Sequence, residues 1–311
     1  MSVHPLLEAH VRSEIERAAS LHLGRSWKGG GFTDLNDRAS HPCGVVHGRP
    51  FSVFAKFSLA PGAVEQFTAE RDGLALLRQR AQSTTPTPIG PGVIALDHGS
   101  LLLFEALEER PPEARNTHDW RSIGHALAAL HVVHDKRFGL DDLAGFFGPL
   151  AQDNRAVPSN CWADFYAERR VAPRLRSAVD AGRLPTAITT DIERLVHRLP
   201  ELCGPEPRPS LLHGDAQQNN FVSAPTGAVI VDAAPYFGHP EVDLALVDYF
   251  APVPDSLFDA YRERAPIDPG FAERRELWRV FAYLAVIAVD GESWFGRRFV
   301  ARLADAVRIY T

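Results

Sequence analysis

The alternation of hydrophobic and polar residues divides the chain into a strand-rich first third and a mostly helical remainder. Residues 4–23 and 61–80 repeat apolar side chains at helical spacing, and residues 49–59 between them alternate as a strand does. The two apolar stripes consist of Leu6, Leu7, Val11, Ile15 and Ala18, and of Val64, Phe67, Leu74 and Leu77. We therefore expect two amphipathic helices that flank a sheet.

The middle of the chain marks the change from strands to helices. A Pro-rich loop, STTPTPIGPG, precedes two predicted strands, GVIAL and SLLLFEAL, which turn at DHG. From about residue 108 helical spacing predominates, beginning with a helix for which Thr117 is the expected N-cap. With no internal repeat, the pattern predicts an α+β protein with two domains, residues 1–106 and 107–311.

Composition limits the class of protein. The 311 residues are 45% hydrophobic and 23% charged, with a formal net charge of −6, so a sizeable core is expected and a nucleic-acid partner is not. Cys43, Cys161 and Cys203 are far apart and predict neither a disulfide framework nor a zinc site. The first residues do not resemble a signal peptide, and the longest apolar run, residues 280–289, is too short to span a bilayer. We expect a soluble cytoplasmic protein.

Acidic and amide residues cluster around one short hairpin near residue 220. The runs NNFVS and GAVIVD are joined by APTG, which predicts two antiparallel strands, so that Asn220 and Asp232 lie at the same open end. An amide oxygen and a carboxylate suit Mg²⁺, which takes few protein ligands. Asp215 lies five residues before Asn220 and would hang over the same place.

Two alternatives apply to these residues. Asp and Asn are common in turns, so each of the three residues taken alone is more simply explained as a turn or cap residue. His213, next to Gly214 and Asp215, also raises the idea of a hydrolase, but no G-x-S-x-G motif accompanies it. The three residues together favour the metal site.

A lysine in an apolar strand is the second unusual feature. Lysine occurs only at positions 28, 56 and 136 of a chain rich in arginine, and Lys56 lies within SVFAKFSL. An unpaired buried ammonium is costly, and Glu70 falls on the apolar face of the helix that follows. We predict that they pair. The alternative is that Lys56 lies on an edge strand and reaches solvent, while Glu70 pairs with Arg71 or Arg78.

Taken in order along the chain, these motifs resemble kinase-like phosphotransferases. A glycine-rich stretch, Lys56, Glu70, a hinge, HGDAQQNN and VD follow one another as they do in that superfamily. The segments PYFGHPEVDLALVDYF, GPLAQDN, WADFYAERRVAPRL and RRELWRVFAYLAVIAVDGESWFG further resemble the fructosamine (ketosamine) 3-kinase family, from about residue 24 to the end. The resemblance implies a bilobal protein-kinase-like fold.

The resemblance also implies an activity and roles for particular residues. Members of the family transfer the γ-phosphoryl group of ATP to the 3-hydroxyl of a ketosamine, free or on a protein lysine, and the unstable product falls off, which is a deglycation reaction. Asp215 matches the catalytic aspartate, and Asn220 and Asp232 match the ligands of Mg²⁺. The positions that match the ATP-binding residues are Gly30, Gly31, Lys56 and Glu70, with Glu105 and Leu107 at the hinge.

Two departures from the family pattern and several rival interpretations remain open. Gln217 replaces an aromatic residue in the catalytic loop, and the glycine loop lacks the common G-G-S-I form. Another acceptor, such as an aminoglycoside, choline or homoserine, would suit the same motifs, and a pseudokinase that only binds nucleotide is a further alternative. Of the other motif residues, His239, Glu241 and Asp243 are expected to be structural. Trp294 and Phe295 line either the acceptor pocket or the core.

Overall fold

The computed structural model of the protein describes residues 4–36 and 41–311. Packing groups this part of the chain into two compact units. The first comprises the described residues up to Arg115 together with Phe221–Asp232, and the second comprises Asn116–Asn220 and Ala233–Thr311. The domains expected at residues 1–106 and 107–311 stay a prediction, and the packing units differ from them chiefly in the placement of the hairpin residues.

A five-stranded antiparallel sheet forms the centre of the first unit. Its strands are β1 (Gly31–Asp34), β2 (Cys43–His47), β3 (Val53–Ser58), β4 (Pro88–Ala95) and β5 (Ser100–Glu105). They lie in the order β1-β2-β3-β5-β4, so β3, which carries Lys56, is the central strand. The alternative that Lys56 lies on an edge strand is therefore wrong.

The strand β4 begins earlier than the sequence predicted. The loop expected over the Pro-rich stretch ends at Thr87, and Pro88 already pairs with Phe104 of β5, with a register shift before Val93. Proline is tolerated here because β4 is an edge strand, where one side of the backbone has no partner strand to bond.

Two helices accompany this sheet, α1 (Ala9–Leu23) and α2 (Ala63–Ala81), and Pro5–Leu7 forms a 3-10 turn before α1. The buried cluster beside α1 contains Leu6, Val11, Ile15, Trp27 and Val53, which confirms most of the predicted stripe. Leu7 and Val64 are corrections, since their exposed fractions are 37% and 39%. Leu7 ends the 3-10 turn and Val64 is the second residue of α2, and in each case the preceding residue, Leu6 or Ala63, has the buried side chain.

The second unit is mainly helical. Its α-helices are α3 (Thr117–His131), α4 (Trp162–Phe165), α5 (Ala172–Asp180), α6 (Thr186–Leu202), α7 (Glu241–Leu246), α8 (Asp255–Arg262), α9 (Phe271–Asp290) and α10 (Trp294–Arg308). A π-helical stretch, Tyr166–Val171, joins α4 to α5. None of the helices in the described ranges is both long and apolar enough to cross a membrane.

Short antiparallel strand pairs complete the two units. Their strands are β6 (Gly145–Phe147), β7 (Leu150–Gln152), β8 (Ser210–Leu211), β9 (Phe221–Ala224), β10 (Gly227–Ile230) and β11 (Phe237–Gly238). The pair β9-β10 is the predicted hairpin, whereas β6-β7 and β8-β11 were not predicted. Strands of two or three residues are too short to show an alternating pattern.

The N-cap of α3 is a second correction. Asn116, rather than Thr117, caps the helix, because its side-chain oxygen accepts the Asp119 N–H at 3.1 Å. In return the Asp119 carboxylate accepts the Asn116 N–H at 2.9 Å, which completes a capping box. Both residue types are good caps, and the acidic residue at the third helical position is what selects Asn116.

We predict that Gly124→Ala destabilises the protein. Alanine in place of glycine normally stabilises a helix by about 1 kcal/mol, but a Cβ at Gly124 would lie 2.1 Å from the Leu257 carbonyl oxygen of α8. The overpacking should lower the free energy of unfolding by about 1–3 kcal/mol in denaturant titrations. Ala126→Ser adds one heavy atom at a half-buried position of α3 and should cost only about 0.5 kcal/mol. Equal losses would contradict the close packing of α3 on α8.

Candidate active site

A buried ammonium lies between two carboxylates in the first unit. The Nζ of Lys56 donates to both carboxylate oxygens of Glu70, at 2.8 and 3.0 Å, and to Oδ1 of Asp232 at 2.5 Å. Lys56 is 4% exposed. The predicted pair of Lys56 with Glu70 is present, and Asp232 is a third member that the sequence did not reveal.

The local sequence explains how Glu70 comes to face the sheet. It follows Phe67 by three positions on α2, and Phe67 is fully buried, so both side chains lie on the inner face of the helix. Its neighbours take other partners: Arg71 donates to Asp72 at 2.8 Å, and Arg78 donates to Thr85 at 3.1 Å. The alternative in which Glu70 pairs with these arginines in solvent is therefore wrong.

Burial and charge oppose each other in this cluster. Burial alone would lower the pKa of Lys56, but the charges and hydrogen bonds of Asp232 and Glu70 outweigh it and leave the pKa raised. Burial raises the pKa of Glu70, and the negative charge of Asp232 adds to that effect. The raised pKa means that Glu70 gives up its proton less readily than a free glutamate does, and a further cation near Asp232 would favour the ionised form.

The β9-β10 hairpin presents Asp232 to this cluster. Phe221 pairs with Ile230, and the Ile230 N–H donates to the Thr84 carbonyl at 2.9 Å, so the hairpin is tied to the first unit. Arg115 braces β9 by hydrogen bonds to the Phe221 carbonyl and the Ser223 hydroxyl. Asp232 itself has φ +54°, a left-handed conformation that aspartate tolerates better than most residues.

In the second unit, the loop after β8 carries Asp215 and Asn220. The amide nitrogen of Asn220 donates to the Asp215 carbonyl at 2.8 Å, and the Asn220 N–H donates to the Gln217 carbonyl at 2.9 Å. Because the nitrogen of the Asn220 amide is engaged inside the loop, the oxygen is the atom suited to a cation. Asp215 is half-buried, and its backbone N–H donates to Nδ1 of His213 at 3.3 Å.

A buried aspartate, Asp243, holds the same loop through hydrogen bonds to its backbone. The Asp243 carboxylate accepts the backbone N–H groups of His213 at 2.6 Å and Gly214 at 3.1 Å. Nε2 of His131 lies 3.1 Å from Asp243, and the Tyr261 hydroxyl lies 2.8 Å from the other ring nitrogen. Two backbone donors and a histidine thus satisfy a carboxylate that is 0% exposed.

Glycine is the only residue type that fits at position 214 of this loop. Its φ is +84°, and a Cβ there would lie 1.9 Å from the Ala234 carbonyl oxygen. The two segments approach closely because a backbone hydrogen bond joins them: the Ala234 N–H donates to the His213 carbonyl at 2.9 Å. Glycine is therefore required here by space as well as by φ.

The remaining acids of the GHPEVD motif are structural in this fold, as the sequence suggested. Glu241 accepts two hydrogen bonds from Arg274, at 2.6 and 2.9 Å, and one from the Trp278 indole at 2.7 Å. Burial, followed by the positive charge of Arg274, lowers the pKa of His239 to about 3, so its imidazole is neutral. These contacts hold α7 against α9.

The predicted nucleotide-binding residues of the first unit lie at the sheet. The Gly30 N–H donates to the His47 carbonyl at 2.8 Å, and Gly31 begins β1 opposite His47, so this part of the glycine-rich stretch is sheet backbone. Glu105 ends β5. Leu107 lies two residues further along, and the Leu107 N–H donates no backbone hydrogen bond within the described residues. The adenine contacts assigned to Glu105 and Leu107 stay predictions.

The structure thus places the predicted site residues in two groups, one in each unit. Lys56, Glu70 and Asp232 form the ion cluster, while Asp215 and Asn220 share the loop of the second unit. No group of three or more His, Cys, Asp or Glu side chains suited to a metal occurs among the described residues. A carboxylate such as that of Asp232 and an amide oxygen such as that of Asn220 are donors of the type that Mg²⁺ takes, and their role as ligands stays a prediction.

Some residues were misjudged or missed at the sequence level. Trp294 and Phe295 are 69% and 42% exposed, so the alternative that both belong to the core is wrong, and their role at an acceptor pocket stays a prediction. His41 was missed, although its ring contacts Phe67 of α2. No strand was predicted next to His41, so the sequence offered no signal for its position.

We predict that Lys56→Met lowers the free energy of unfolding by about 3–5 kcal/mol, because it leaves Glu70 buried without a cation. Adding Glu70→Leu to Lys56→Met should restore part of the loss. The matched control is Lys28→Met: Lys28 is 2.7 Å from Glu16 but 77% exposed, so its removal should cost about 1 kcal/mol or less. Urea titrations of the three variants would contradict the assignment if Lys28→Met and Lys56→Met were equally damaging.

Comparison with other proteins gives sequence relatives that are named as ketoamine or ketosamine kinases. A "Probable ketoamine kinase" of Klebsiella aerogenes is 33% identical over 222 residues, which are 70% of this chain and 73% of the relative. The mouse protein named ketosamine-3-kinase is 29% identical over 261 residues, 75% of this chain and 81% of its own.

Solved structures agree with this grouping. A Thermobifida fusca protein described as a fructosamine-3-kinase has a TM-score of 0.78 and 29% identity, and the match covers 94% of this chain and 98% of that one. An aminoglycoside phosphotransferase in complex with ADP and hygromycin B has a TM-score of 0.61 at 14% identity, covering 95% and 98%. The latter likeness concerns the fold alone and confirms the predicted α+β, protein-kinase-like class.

The sequence family follows from the extent of the match. The model of the family described as fructosamine kinase matches residues 12–305, nearly the whole chain, and the resemblance predicted from the motifs is confirmed. The roles of individual site residues stay predictions. On this evidence the chain belongs to the fructosamine kinase family.

Proposed function

We propose that the protein transfers the γ-phosphoryl group of ATP to the 3-hydroxyl of a ketosamine, a sugar attached through nitrogen to an amine or to a protein lysine. In this reaction a bond forms between the sugar oxygen and the γ-phosphorus, and the bond to the β–γ bridging oxygen breaks. The hydroxyl proton must leave the sugar oxygen in the course of the transfer. The kinase relatives and the family support the reaction class and the acceptor.

The observation that carries the proposal is the position of the Lys56 ammonium. Three hydrogen bonds to Glu70 and Asp232 fix the position of the Lys56 ammonium, so its positive charge stays in one place. Phosphoryl transfer depends mostly on such positioning and charge neutralisation, since the protein supplies little covalent chemistry. We assign Lys56 to the α and β phosphates and Glu70 to holding it there.

The residues also suit a divalent cation. Asp232 belongs to the ion cluster, but its side chain is 36% exposed, so water and phosphate can reach it. We assign Asp232 and Asn220 as ligands of Mg²⁺, which when bound would neutralise charge on the phosphate oxygens. The hairpin register supports this assignment, because Phe221 lies opposite Ile230, with Asn220 directly before Phe221 and Asp232 two residues after Ile230.

Asp215 is assigned as the catalytic base. A half-buried carboxylate in a loop fixed by Asp243 can accept a hydrogen bond from the sugar hydroxyl, orient the oxygen and take the proton late in the transfer. The Asn220 amide further fixes the Asp215 backbone. Rigid support on both sides limits the positions that the carboxylate can adopt, which is what an in-line reaction requires.

Acceptor identity within this class rests on Gln217 and on the exposed aromatic side chains Trp294 and Phe295. We propose a small-molecule or protein-bound ketosamine. The cytoplasmic location expected from the sequence stays a prediction. The aminoglycoside phosphotransferase neighbour, at 14% identity, carries no argument for its own acceptor.

The acceptor is tested by following ADP release with purified protein and Mg²⁺-ATP. We expect turnover with ribulose- and fructose-modified lysine, in free and peptide-bound form, and at most slow turnover with an aminoglycoside, choline or homoserine. Product analysis should place the phosphate on the 3-oxygen. Preference for a compound of the second group would overturn the ketosamine assignment. An absence of ATP consumption with every acceptor would favour a nucleotide-binding pseudokinase.

We predict that Asp215→Ala lowers kcat by about 10²–10⁴-fold, because the hydroxyl loses its proton acceptor, while the Kd for ATP changes by no more than about twofold. Asp180→Ala, an exposed carboxylate at the end of α5, is the control and should leave both quantities unchanged. Steady-state kinetics and isothermal titration with ATP make the measurement. Near-normal kcat in Asp215→Ala would remove Asp215 from the catalytic role.

A further inference from the structure

His41 lies on the same side of the first unit's sheet as Lys56. Cys43 of β2 pairs with Lys56 of β3, and the Phe57 N–H donates to the Pro42 carbonyl at 2.9 Å, so the pairing continues past the end of β2. His41 lies in the bend directly before this segment. Its ring reaches Phe67 of α2, the helix that also carries the Lys56 partner Glu70.

A contact with α2 fixes the imidazole near the ion cluster. The rings of His41 and Phe67 meet edge to face, with centroids 5.3 Å apart. Phe67 precedes Glu70 by three residues on α2, which places the two on neighbouring positions of one helical face. His41 thus sits about one helical turn from the carboxylate that holds Lys56, and the charges of Lys56 and Asp232 both act on its ring.

One ring nitrogen of His41 is buried without a protein partner. The Gln66 side chain forms a hydrogen bond with the ring, but Nε2 has no hydrogen-bond partner among the described residues, although it is shielded from solvent. Burial, followed by the positive charge of Lys56, lowers the pKa of His41, so the imidazole is neutral. A buried polar atom left unpaired is unfavourable, so a hydrogen-bond acceptor that reached Nε2 would be stabilised there.

We propose that His41 is a further nucleotide-positioning residue, whose Nε2–H donates a hydrogen bond to a phosphate oxygen of the bound nucleoside triphosphate. The inference rests on the proposed function, because the phosphates are placed by the role of Lys56. A neutral donor suits this position. It adds directional contact to the phosphate chain without adding a second cation next to Lys56, where like charges would repel.

The test compares nucleotide affinity in variants that separate packing from hydrogen bonding. His41→Phe keeps an aromatic ring against Phe67 but removes the donor, and His41→Gln keeps an N–H donor near the position of Nε2. His98→Ala, an exposed histidine in the turn between β4 and β5, is the matched control. Isothermal titration in Mg²⁺ buffer measures the Kd of ATP and of AMP for each protein, and thermal unfolding confirms that each is folded.

We expect His41→Phe to weaken ATP roughly tenfold or more, as the loss of a hydrogen bond to a charged group does, with AMP affinity unchanged. His41→Gln should recover most of the ATP affinity, and His98→Ala should match the unaltered protein. Should His41→Phe not fold, His41→Ala takes its place in the comparison.

Two results would overturn the inference: unchanged ATP affinity in His41→Phe, or equal weakening of ATP and AMP, which would mean a general structural role. Failure of the unaltered protein to bind ATP is a separate result, since it would remove the proposed function itself. Loss of activity with ATP affinity intact would likewise refute a phosphate contact and leave the kinase assignment standing.

Discussion

The site depends on one buried positive charge. An ammonium removed from water is stable only if anionic partners surround it, and Lys56 obtains them from a helix and from the end of a hairpin that lie far away in sequence. This requirement ties three parts of the first unit together: the central strand, the inner face of α2 and the residues after β10. Any change that moves one of them exposes or isolates the charge, so the fold of the unit and the chemistry of the site are constrained by the same contact.

The sequence predicted half of this arrangement. Lysine is rare in a chain that otherwise uses arginine, and its place in an apolar strand together with an acid on an apolar helical face was enough to predict the pair with Glu70. The contact with Asp232, 176 positions away, left no local pattern. Periodicity reports which side of an element is buried, whereas contacts between distant elements depend on how those elements pack.

Element ends were the least predictable part of the fold. The edge strand β4 includes prolines that a local rule assigns to a loop, since the rule does not know that one side of the strand lacks a partner. The cap of α3 required a reciprocal bond between Asn116 and Asp119, which the choice of Thr117 overlooked. The family motifs, in contrast, predicted the fold class, because they are properties of the whole chain rather than of one segment.

Two aspartates in this protein show that residue type does not determine role. Asp215 is half-buried in a loop, and Asp243 is fully enclosed by backbone donors and the imidazole of His131. A carboxylate with its lone pairs satisfied by the protein cannot readily accept a proton from a substrate, so it serves to hold the loop. The sequence placed Asp243 correctly as structural only because a motif directed attention to it, and its partners became visible with the fold.

An amide fits position 220 better than a carboxylate would, because of the hydrogen bond that Asn220 makes within its own loop. A carboxylate there would attract a divalent ion more strongly, but it has no hydrogen to give to the Asp215 carbonyl, and the two oxygens would repel each other. The asparagine amide has both an N–H donor and a carbonyl acceptor. One side chain can therefore hold the polypeptide through its nitrogen while its oxygen stays available as an acceptor. The position of the amide oxygen and the position of the Asp215 backbone are therefore set by one side chain, and neither can shift without the other.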